Sequence, residues 1–222
     1  MRDLVSLSLR FVLLSLLFLP ANAERAVGQE DAARAELREL REMAEITRKV
    51  LVPMRDGVGL STTIYRPKTE EPVPTVFVRT PYNFNWYQEG ELNRGIIHDA
   101  MEWVSDGYAL VVQNERGRYF SEGAWDILGP PLTDGYDALS WIEEQPWSNG
   151  RVGTLGCSSS AEWQMGLASL DHPAHAAMVP QGFGAGVGEV GGFQEQGNWY
   201  RGGARQMLFY TWLYGVQRTW AA

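Results

Sequence analysis

Apolar and polar residues follow two different periods along the chain, and the change from one period to the other marks the predicted elements. From Thr47 to Pro67 the alternation has the period of two that is typical of strands, and the segment Arg55-Asp56-Gly57 interrupts it. Asp-Gly is a strong signal for a tight turn between two paired strands. The sequence therefore predicts an antiparallel hairpin in this region.

Continuous apolar runs that alternate with helix-like segments follow the hairpin. A buried strand is predicted at residues 75–79, and further strands are predicted at residues 108–114, 150–156 and 175–181. Helices are predicted between them at residues 93–107, 133–146 and 159–170. Alternation of apolar strands with helices implies parallel pairing through right-handed crossovers. The predicted fold class is α/β, a mostly parallel sheet with flanking helices and an N-terminal antiparallel hairpin.

Two segments precede the hairpin. Residues 1–23 combine an early arginine, Arg2, with a short apolar stretch at 11–19 and small residues before position 24, the features of a cleaved secretory signal peptide. The apolar stretch is far shorter than the roughly 20 residues that a membrane-spanning helix needs. Residues 24–45 predict an amphipathic helix, loosely attached to a main domain at 46–222. We therefore expect a secreted or periplasmic protein with no membrane contact after signal removal.

The composition is that of one globular domain. The 222 residues are 45% hydrophobic and 21% charged, and the formal net charge is −8. The basic residues are scattered, so no nucleic-acid partner is expected. The single cysteine, Cys157, excludes an internal disulfide, and the three histidines lack the spacing of zinc ligands, so no metal is expected. No sequence motif predicts a cofactor.

The segment GRVGTLGCSSSAEWQ carries the candidate chemistry. A predicted strand enters it and a predicted helix leaves it, as in a nucleophile elbow, where a sharp turn exposes a serine and the helix N-terminus faces a developing oxyanion. Gly156 permits close backbone approach before Ser158, whereas Ser160 stands where the G-x-S-x-G pattern has its second glycine. Cys157 is expected to point into the sheet as a buried thiol. By spacing alone, a catalytic serine and a serine-rich helix cap are equal alternatives.

Neighbouring segments favour the catalytic alternative. The segments FVRTPYN, VVQNERGRYFSEGAW and TDGYDALSWIEEQPWSNGRVGTLGCSSS together resemble the cocaine esterase, α-amino-acid ester hydrolase and X-prolyl dipeptidyl peptidase family of α/β-hydrolases. The resemblance runs from about Lys49 to Gly182 and covers only the N-terminal part of that family's catalytic domain. It implies an incomplete, truncated α/β-hydrolase fold, with residues 183–222 as the start of a cap region.

The resemblance implies roles for three residues. Ser158 corresponds to the nucleophile of the family's Gly-x-Ser-Tyr-x-Gly elbow. Ser159 replaces its tyrosine and retains the backbone N–H that the oxyanion hole requires, while Ala161 replaces its last glycine. Tyr82 corresponds to the tyrosine of the family's Arg-x-Pro-Tyr segment, whose hydroxyl donates to the same oxyanion. The implied function is an exported serine hydrolase that cleaves an ester or amide bond of a small-molecule ester or peptide through a serine acyl-enzyme.

Two charged segments are interpreted as structural. Arg116 and Arg118 match an Arg-Gly-Arg segment of the family and are expected to tie loops beside the site. Asp134 and Asp137 open a predicted helix, and we expect them to cap and solvate its start.

The triad acid and histidine have no evident counterpart. A serine hydroxyl needs a histidine base oriented by a carboxylate, and in this fold both follow the serine. His172 and His175 follow Ser158 but are expected at the far end of the elbow helix, out of hydrogen-bond reach. The sequence therefore leaves three alternatives open. The chain is a truncated hydrolase, a non-catalytic remnant that binds a partner through its aromatic C-terminal residues, or a chain that self-associates or is completed by another chain.

Overall fold

The structure, a computed structural model, describes residues 30–88, 91–125, 132–182, 188–190, 193–195, 200–201, 204–205 and 207–217. The predicted signal peptide, residues 1–23, lies outside these ranges, and so do several parts of the predicted cap region. None of the helices in the described ranges is long and apolar enough to span a membrane.

The described ranges contain both helices and strands. In order they are α1 (30–43), β1 (Ala44–Pro53), β2 (Gly59–Pro67), β3 (Val73–Thr80), β4 (Tyr87–Gln88), β5 (Glu91–Leu92), α2 (Arg94–Ser105), β6 (Ala109–Asn114), α3 (Thr133–Glu143), β7 (Ser148–Cys157), α4 (Ser159–Ala168), β8 (His175–Gln181), β9 (Gly188–Val190), β10 (Phe193–Glu195), β11 (Tyr200–Arg201), β12 (Ala204–Arg205) and α5 (Met207–Gln217).

A six-stranded mixed sheet in the order β1-β2-β6-β3-β7-β8 forms the centre of the fold. The pairs β1·β2 and β2·β6 are antiparallel, whereas β6·β3, β3·β7 and β7·β8 are parallel. Gly57 in the turn between β1 and β2 has φ 86°, a conformation that glycine adopts without steric cost. The predicted mostly parallel sheet with an N-terminal antiparallel hairpin is therefore confirmed.

The two faces of the sheet are covered by different helices. Leu110 and Val112 of β6 pack with α2, whereas Val111 between them packs with α3 and α4. Successive side chains of a strand point to opposite faces, so an uninterrupted apolar run such as β6 is stable only when both faces are covered. The result is a helix–sheet–helix arrangement with one apolar layer on each side of the sheet.

Helix α1 is packed firmly against this body. Leu40 is 0% exposed, and together with Leu37 it joins the apolar layer that contains Ile97 of α2 and Trp86. Burying an apolar stripe against the sheet is more favourable than leaving it in water, even though the opposite face of the helix is charged. The expectation of loose attachment is therefore wrong, and strand β1 already begins at Ala44.

Strand β8 is the outer strand of the sheet on the side of β7. Most of its residues are exposed, including the apolar side chains of Met178 (39%) and Val179 (47%). An apolar run of this kind is typical of an interior strand, but here only β7 pairs with it among the described strands.

Candidate active site

Strand β7 passes into helix α4 through a sharp turn centred on Ser158. Ser158 has φ 58° and ψ −125°, a combination that a residue with a side chain adopts only where the surrounding structure enforces it. Its N–H donates to the carbonyl of Gln181 over 2.8 Å, and its carbonyl accepts from the N–H of Ala161 over 2.8 Å. Ser158 is exposed at this turn. The strand, the strained serine and the following helix have the geometry of a nucleophile elbow.

Gly156 makes this turn sterically possible. A Cβ atom at Gly156 would lie 2.1 Å from the carbonyl oxygen of Ser160, so no larger residue fits without movement of the backbone. Ala161, which stands where the family has its last glycine, is fully buried, and the fold accommodates its methyl group. Because Gly156 faces α4, strand alternation turns Cys157 to the opposite face. Cys157 is exposed there, which corrects the expectation of a buried thiol.

A loop after β3 brings Tyr82 to the same edge of the sheet. The Tyr82 N–H donates to Thr80 Oγ1 over 3.2 Å, and Asn114 Nδ2 donates to the carbonyls of Thr80 and Tyr82 over 3.3 and 2.8 Å. Thr80 Oγ1 also accepts from Ser160 Oγ, over 2.9 Å. Hydrogen bonds around the backbone of Tyr82 therefore link the ends of β3 and β6 to the first turn of α4.

The side chains of Tyr82 and Ser158 interact. Burial raises the pKa of the Tyr82 hydroxyl, while hydrogen bonds with Trp212 and with Ser158 oppose that effect. Because the net shift is upward from about 10, Tyr82 is protonated at neutral pH and can donate a hydrogen bond. The sequence analysis singled out both residues, and the structure brings them together.

Ser159 is the first residue of α4. The first N–H groups of a helix have no acceptor within the helix, and the helix dipole places partial positive charge at this end. Its backbone N–H therefore has no acceptor within α4 and lies directly after Ser158 in the turn.

Trp212 is a residue of this site that the sequence analysis grouped only with an aromatic C-terminal run. It lies on α5, and its Nε1 donates to Tyr82 Oη over 3.1 Å. The two rings meet edge to face, with centroids 6.4 Å apart and planes at 73°. Since 130 positions separate the two residues, no local pattern in the sequence predicts this pair.

Two carboxylates that the sequence analysis did not single out also affect the pKa of Tyr82. The negative charges of Glu115 and Glu162 both raise the pKa of Tyr82. Burial raises the pKa of each carboxyl group. Glu115 is buried and accepts from Trp125 Nε1 over 3.1 Å.

A buried charged cluster supports the loops around the site. Arg79 and Arg116 both pair with Asp134, over 3.1 and 2.7 Å, and Arg116 also pairs with Asp56 over 2.8 Å. Arg118 Nε donates to the carbonyl of Pro81, next to Tyr82, over 3.1 Å. The arginines tie loops together, as expected. Asp134 is only 1% exposed, so the expected solvated helix start is wrong there, because two guanidinium groups compensate the carboxylate for its lost water.

The two histidines that follow Ser158 lie away from it. His175 Nε2 is 3.0 Å from Oγ1 of Thr154, which is four positions before Ser158 on β7 and therefore roughly 13 Å away along the strand. His172 Nε2 is 2.9 Å from Ser140 Oγ, and its Nδ1 accepts from the N–H of Ala174 over 3.1 Å. Burial lowers the pKa of both histidines. Both are thus engaged in other hydrogen bonds, outside the reach of the Ser158 hydroxyl.

Comparisons with known proteins identify relatives of this chain. The model of the family described as X-Pro dipeptidyl-peptidase (S15 family) matches residues 56–221. The cocaine esterase of Rhodococcus sp. (strain MB1 Bresler) is 38% identical over 131 residues, which are 56% of this chain and 22% of the esterase.

Two solved structures are also similar to this chain in sequence and in fold. An α-amino acid ester hydrolase is 32% identical with a TM-score of 0.53, over 62% of this chain and 25% of the hydrolase. A CocE/NonD family hydrolase from Staphylococcus aureus is 28% identical with a TM-score of 0.53, over 62% of this chain and 27% of that protein.

The matches cover the parts of the molecule that form the site. The family match, 56–221, includes strands β2, β3, β6, β7 and β8 and helix α4. The chain spans only 22% to 27% of the length of these three relatives. Since the family match covers well over half of the 222 residues, the chain belongs to the X-Pro dipeptidyl-peptidase (S15) family of α/β-hydrolase-like serine hydrolases, together with cocaine esterase.

Proposed function

We propose that the protein is an exported serine hydrolase that cleaves an ester or amide bond through an acyl-enzyme on Ser158. The observation that carries this proposal is the backbone of Ser158, held at φ 58° between β7 and α4 with its side chain interacting with Tyr82. A structural helix cap does not require this strain: Ser158 makes no side-chain capping hydrogen bond to α4. The strain is typical of a serine presented for reaction.

The chemistry follows from the groups around this serine. Ser158 Oγ attacks the carbonyl carbon of the substrate, and the carbonyl oxygen becomes an oxyanion. The Tyr82 hydroxyl and the Ser159 N–H donate to that oxyanion, and the loss of one such donor typically costs roughly 100- to 1000-fold in rate. Collapse of the tetrahedral intermediate expels an alcohol or an amine, and water then releases the acid from Ser158.

The attack also needs a base for the Ser158 proton. Neither His172 nor His175 can accept this proton, because their side chains are hydrogen-bonded to Ser140 and Thr154, away from the elbow. Losing the base alone costs on the order of a million-fold in rate. Rapid turnover therefore requires a histidine and an orienting acid beyond the groups that surround Ser158 in the described ranges. Binding and slow acylation require only Ser158 and its hydrogen-bond donors.

Export is the second part of the proposal. Residues 1–23 have the charge, the short apolar stretch and the small residues of a cleaved signal. We propose that the protein acts outside the cytoplasm, on a small-molecule ester or a peptide, without membrane contact after signal removal. N-terminal sequencing of the exported protein tests this, since the proposal expects a chain that starts at Glu24.

Labelling of Ser158 by a fluorophosphonate tests the chemistry. The full chain and its Ser158→Ala and Ser159→Ala variants are incubated with the probe, and the modified peptide is identified by mass spectrometry. The proposal expects labelling of the unsubstituted chain and of Ser159→Ala, which keeps its backbone N–H, and no labelling of Ser158→Ala. Equal labelling of all three chains contradicts the proposal. The absence of labelling in a folded, unsubstituted chain also contradicts it. Hydrolysis of p-nitrophenyl acetate and of a Gly-Pro anilide by the same three chains separates esterase from peptidase activity.

The exposed edge of the sheet supports a second candidate function, the binding of another polypeptide. Strand β8 exposes Met178 and Val179, and helix α5 exposes Met207, Leu208 and Tyr214. A strand that pairs on only one side among the described strands and carries exposed apolar side chains is a template for pairing with a further strand. The partner is a second copy or a chain that completes the domain. Sedimentation analysis tests this, because self-association should be lost in Val179→Lys, whereas a monomer at every concentration excludes the second copy.

A further inference from the structure

The hydrogen bond between Trp212 and Tyr82 has only one possible direction. An indole nitrogen donates a hydrogen bond but accepts none, whereas a phenolic hydroxyl does both. Trp212 Nε1 lies 3.1 Å from Tyr82 Oη, so the Tyr82 oxygen is the acceptor. The single proton of the Tyr82 hydroxyl is therefore left for another acceptor.

That proton has a second neighbour in the site. Ser158 lies beside the Tyr82 hydroxyl. With Trp212 bound to the oxygen of Tyr82, the O–H bond cannot point toward the indole, and the side toward Ser158 remains. This is the side on which the carbonyl oxygen of a substrate attacked by Ser158 becomes an oxyanion.

We propose that Trp212 is a positioning residue that fixes the Tyr82 hydroxyl with its proton directed toward the oxyanion site above Ser158. This inference rests on the proposed function, because it assigns Trp212 a role in the oxyanion hole. A donor that is already oriented needs no rearrangement when charge develops, and this preorganisation is the main source of electrostatic stabilisation in such sites.

Both ends of Tyr82 are held. Its backbone is fixed by Thr80 Oγ1 and Asn114 Nδ2, over 3.2 and 2.8 Å. The ring packs edge to face against Trp212, and the same residue holds the hydroxyl. The chain thus immobilises the side chain from its main-chain atoms to its oxygen, which is more than the packing of a tyrosine after a strand requires.

Trp212 also changes the acidity of the hydroxyl. Burial raises the pKa of Tyr82, and the negative charges of Glu115 and Glu162 raise it further. The indole N–H lowers it, because a donor to the oxygen stabilises the phenolate. Hydrogen bonds in series polarise one another, so the bond from Trp212 makes Tyr82 a stronger donor to the oxyanion.

The titration of Tyr82 tests this role without any need for turnover. The full chain is prepared with tyrosine labelled at 13Cζ, and the Tyr82 resonance is identified by its loss in Tyr82→Phe. Trp212→Phe removes the indole N–H and keeps an aromatic ring. Trp103→Phe is the matched control, because Trp103 makes an edge contact of the same kind with Tyr108, at 5.7 Å. We expect Tyr82 to titrate at a higher pH in Trp212→Phe and at an unchanged pH in Trp103→Phe.

Binding of phenylboronic acid tests the effect on the oxyanion. Ser158 Oγ bonds to boron, its proton passes to solvent, and the tetrahedral boronate that forms carries the negative charge of the oxyanion. We expect binding to the unsubstituted chain to weaken roughly 3- to 10-fold in Trp212→Phe, the effect of one net hydrogen bond. Trp103→Phe should bind as the unsubstituted chain does, and Ser158→Ala should not bind.

The outcomes separate this inference from the proposed function. If phenylboronic acid does not bind the unsubstituted chain, the proposed function fails, while the titration still decides whether Trp212 controls the Tyr82 hydroxyl. An unchanged titration of Tyr82 in a folded Trp212→Phe chain overturns the inference. If Trp212→Phe does not fold, the 15N–H resonance of the Trp212 indole is measured instead, in the unsubstituted chain and in Tyr82→Phe. Loss of the downfield shift of this resonance in Tyr82→Phe supports the inference. An unchanged resonance overturns it.

Discussion

Ser160 Oγ donates a hydrogen bond of 2.9 Å to Thr80 Oγ1, and both side chains are buried. This bond joins the first turn of the elbow helix to the end of β3. Thr80 Oγ1 also accepts from the N–H of Tyr82, so one hydroxyl group connects the serine turn to the loop that carries the tyrosine. The two parts of the candidate oxyanion hole are therefore held together by Ser160, the residue that replaces a glycine of the strict elbow pattern.

Substitution of Ser160 should weaken this connection. Ser160→Ala removes the donor to Thr80 Oγ1, and we expect a loss of about 1–2 kcal/mol in the free energy of unfolding, the cost of one buried hydrogen bond. Denaturant titration followed by circular dichroism measures it. The control is Ser169→Ala, at an exposed serine that follows α4. Equal stability of the two variants would show that the Ser160–Thr80 bond contributes nothing.

Substitution of Gly156 should distort the elbow itself. In Gly156→Ala the new methyl group would lie 2.1 Å from the carbonyl oxygen of Ser160, so the backbone must move. We expect a loss of about 3 kcal/mol or more, in the range of severe overpacking. Gly215→Ala on α5 is the control, since no described atom outside the backbone of its own helix lies within 4 Å of its added Cβ and alanine favours a helix. Thermal unfolding that ranks Gly215→Ala below Gly156→Ala would contradict the elbow geometry.

The two aspartates at the start of α3 should differ sharply. Asp134→Asn removes the carboxylate that pairs with the buried Arg79 and with Arg116, and we expect a loss of about 3–5 kcal/mol, as for a broken buried ion pair. Asp137→Asn is the matched substitution on the same helix, where the partner is the exposed Arg55. Its effect should be much smaller, because solvent screens that pair. Unfolding curves of the two variants, at one pH, compare them directly, and equal losses would refute the buried pairing.

The pH dependence of stability should report His172. Burial lowers its pKa in the folded chain, so the unfolded chain binds a proton at a higher pH than the folded chain does. The contribution of neutral His172 to the free energy of unfolding is complete above about pH 6.5, the pKa of an unperturbed histidine. This contribution is lost as the pH falls below that value. We expect His172→Gln to show a shallower loss of stability between pH 7 and pH 5. His98→Gln, at an exposed histidine of α2, serves as the control, and identical slopes for the two variants would disprove this assignment.

Local patterns in the sequence determined the order and type of most elements. The alternation around Asp56-Gly57 predicted the hairpin of β1 and β2, and the apolar runs predicted β3, β6, β7 and β8. The motifs around Tyr82 and Ser158 lie at the ends of β3 and β7, which are parallel neighbours in the sheet. Parallel strands end at the same edge, so the predicted sheet placed both residues at that edge, and the adjacency of β3 and β7 in the structure brings them together.

Tertiary structure alone decided which side chains complete the site. The contacts of Trp212 with Tyr82 and of Asp134 with Arg79 join residues 130 and 55 positions apart, and no periodic pattern specifies such pairs. The attachment of α1 and the exposure of Cys157 likewise depend on which face of the sheet another element covers. Short-range periodicity encodes the direction in which a side chain points along its own element, whereas burial and pairing depend on what the rest of the chain places opposite it.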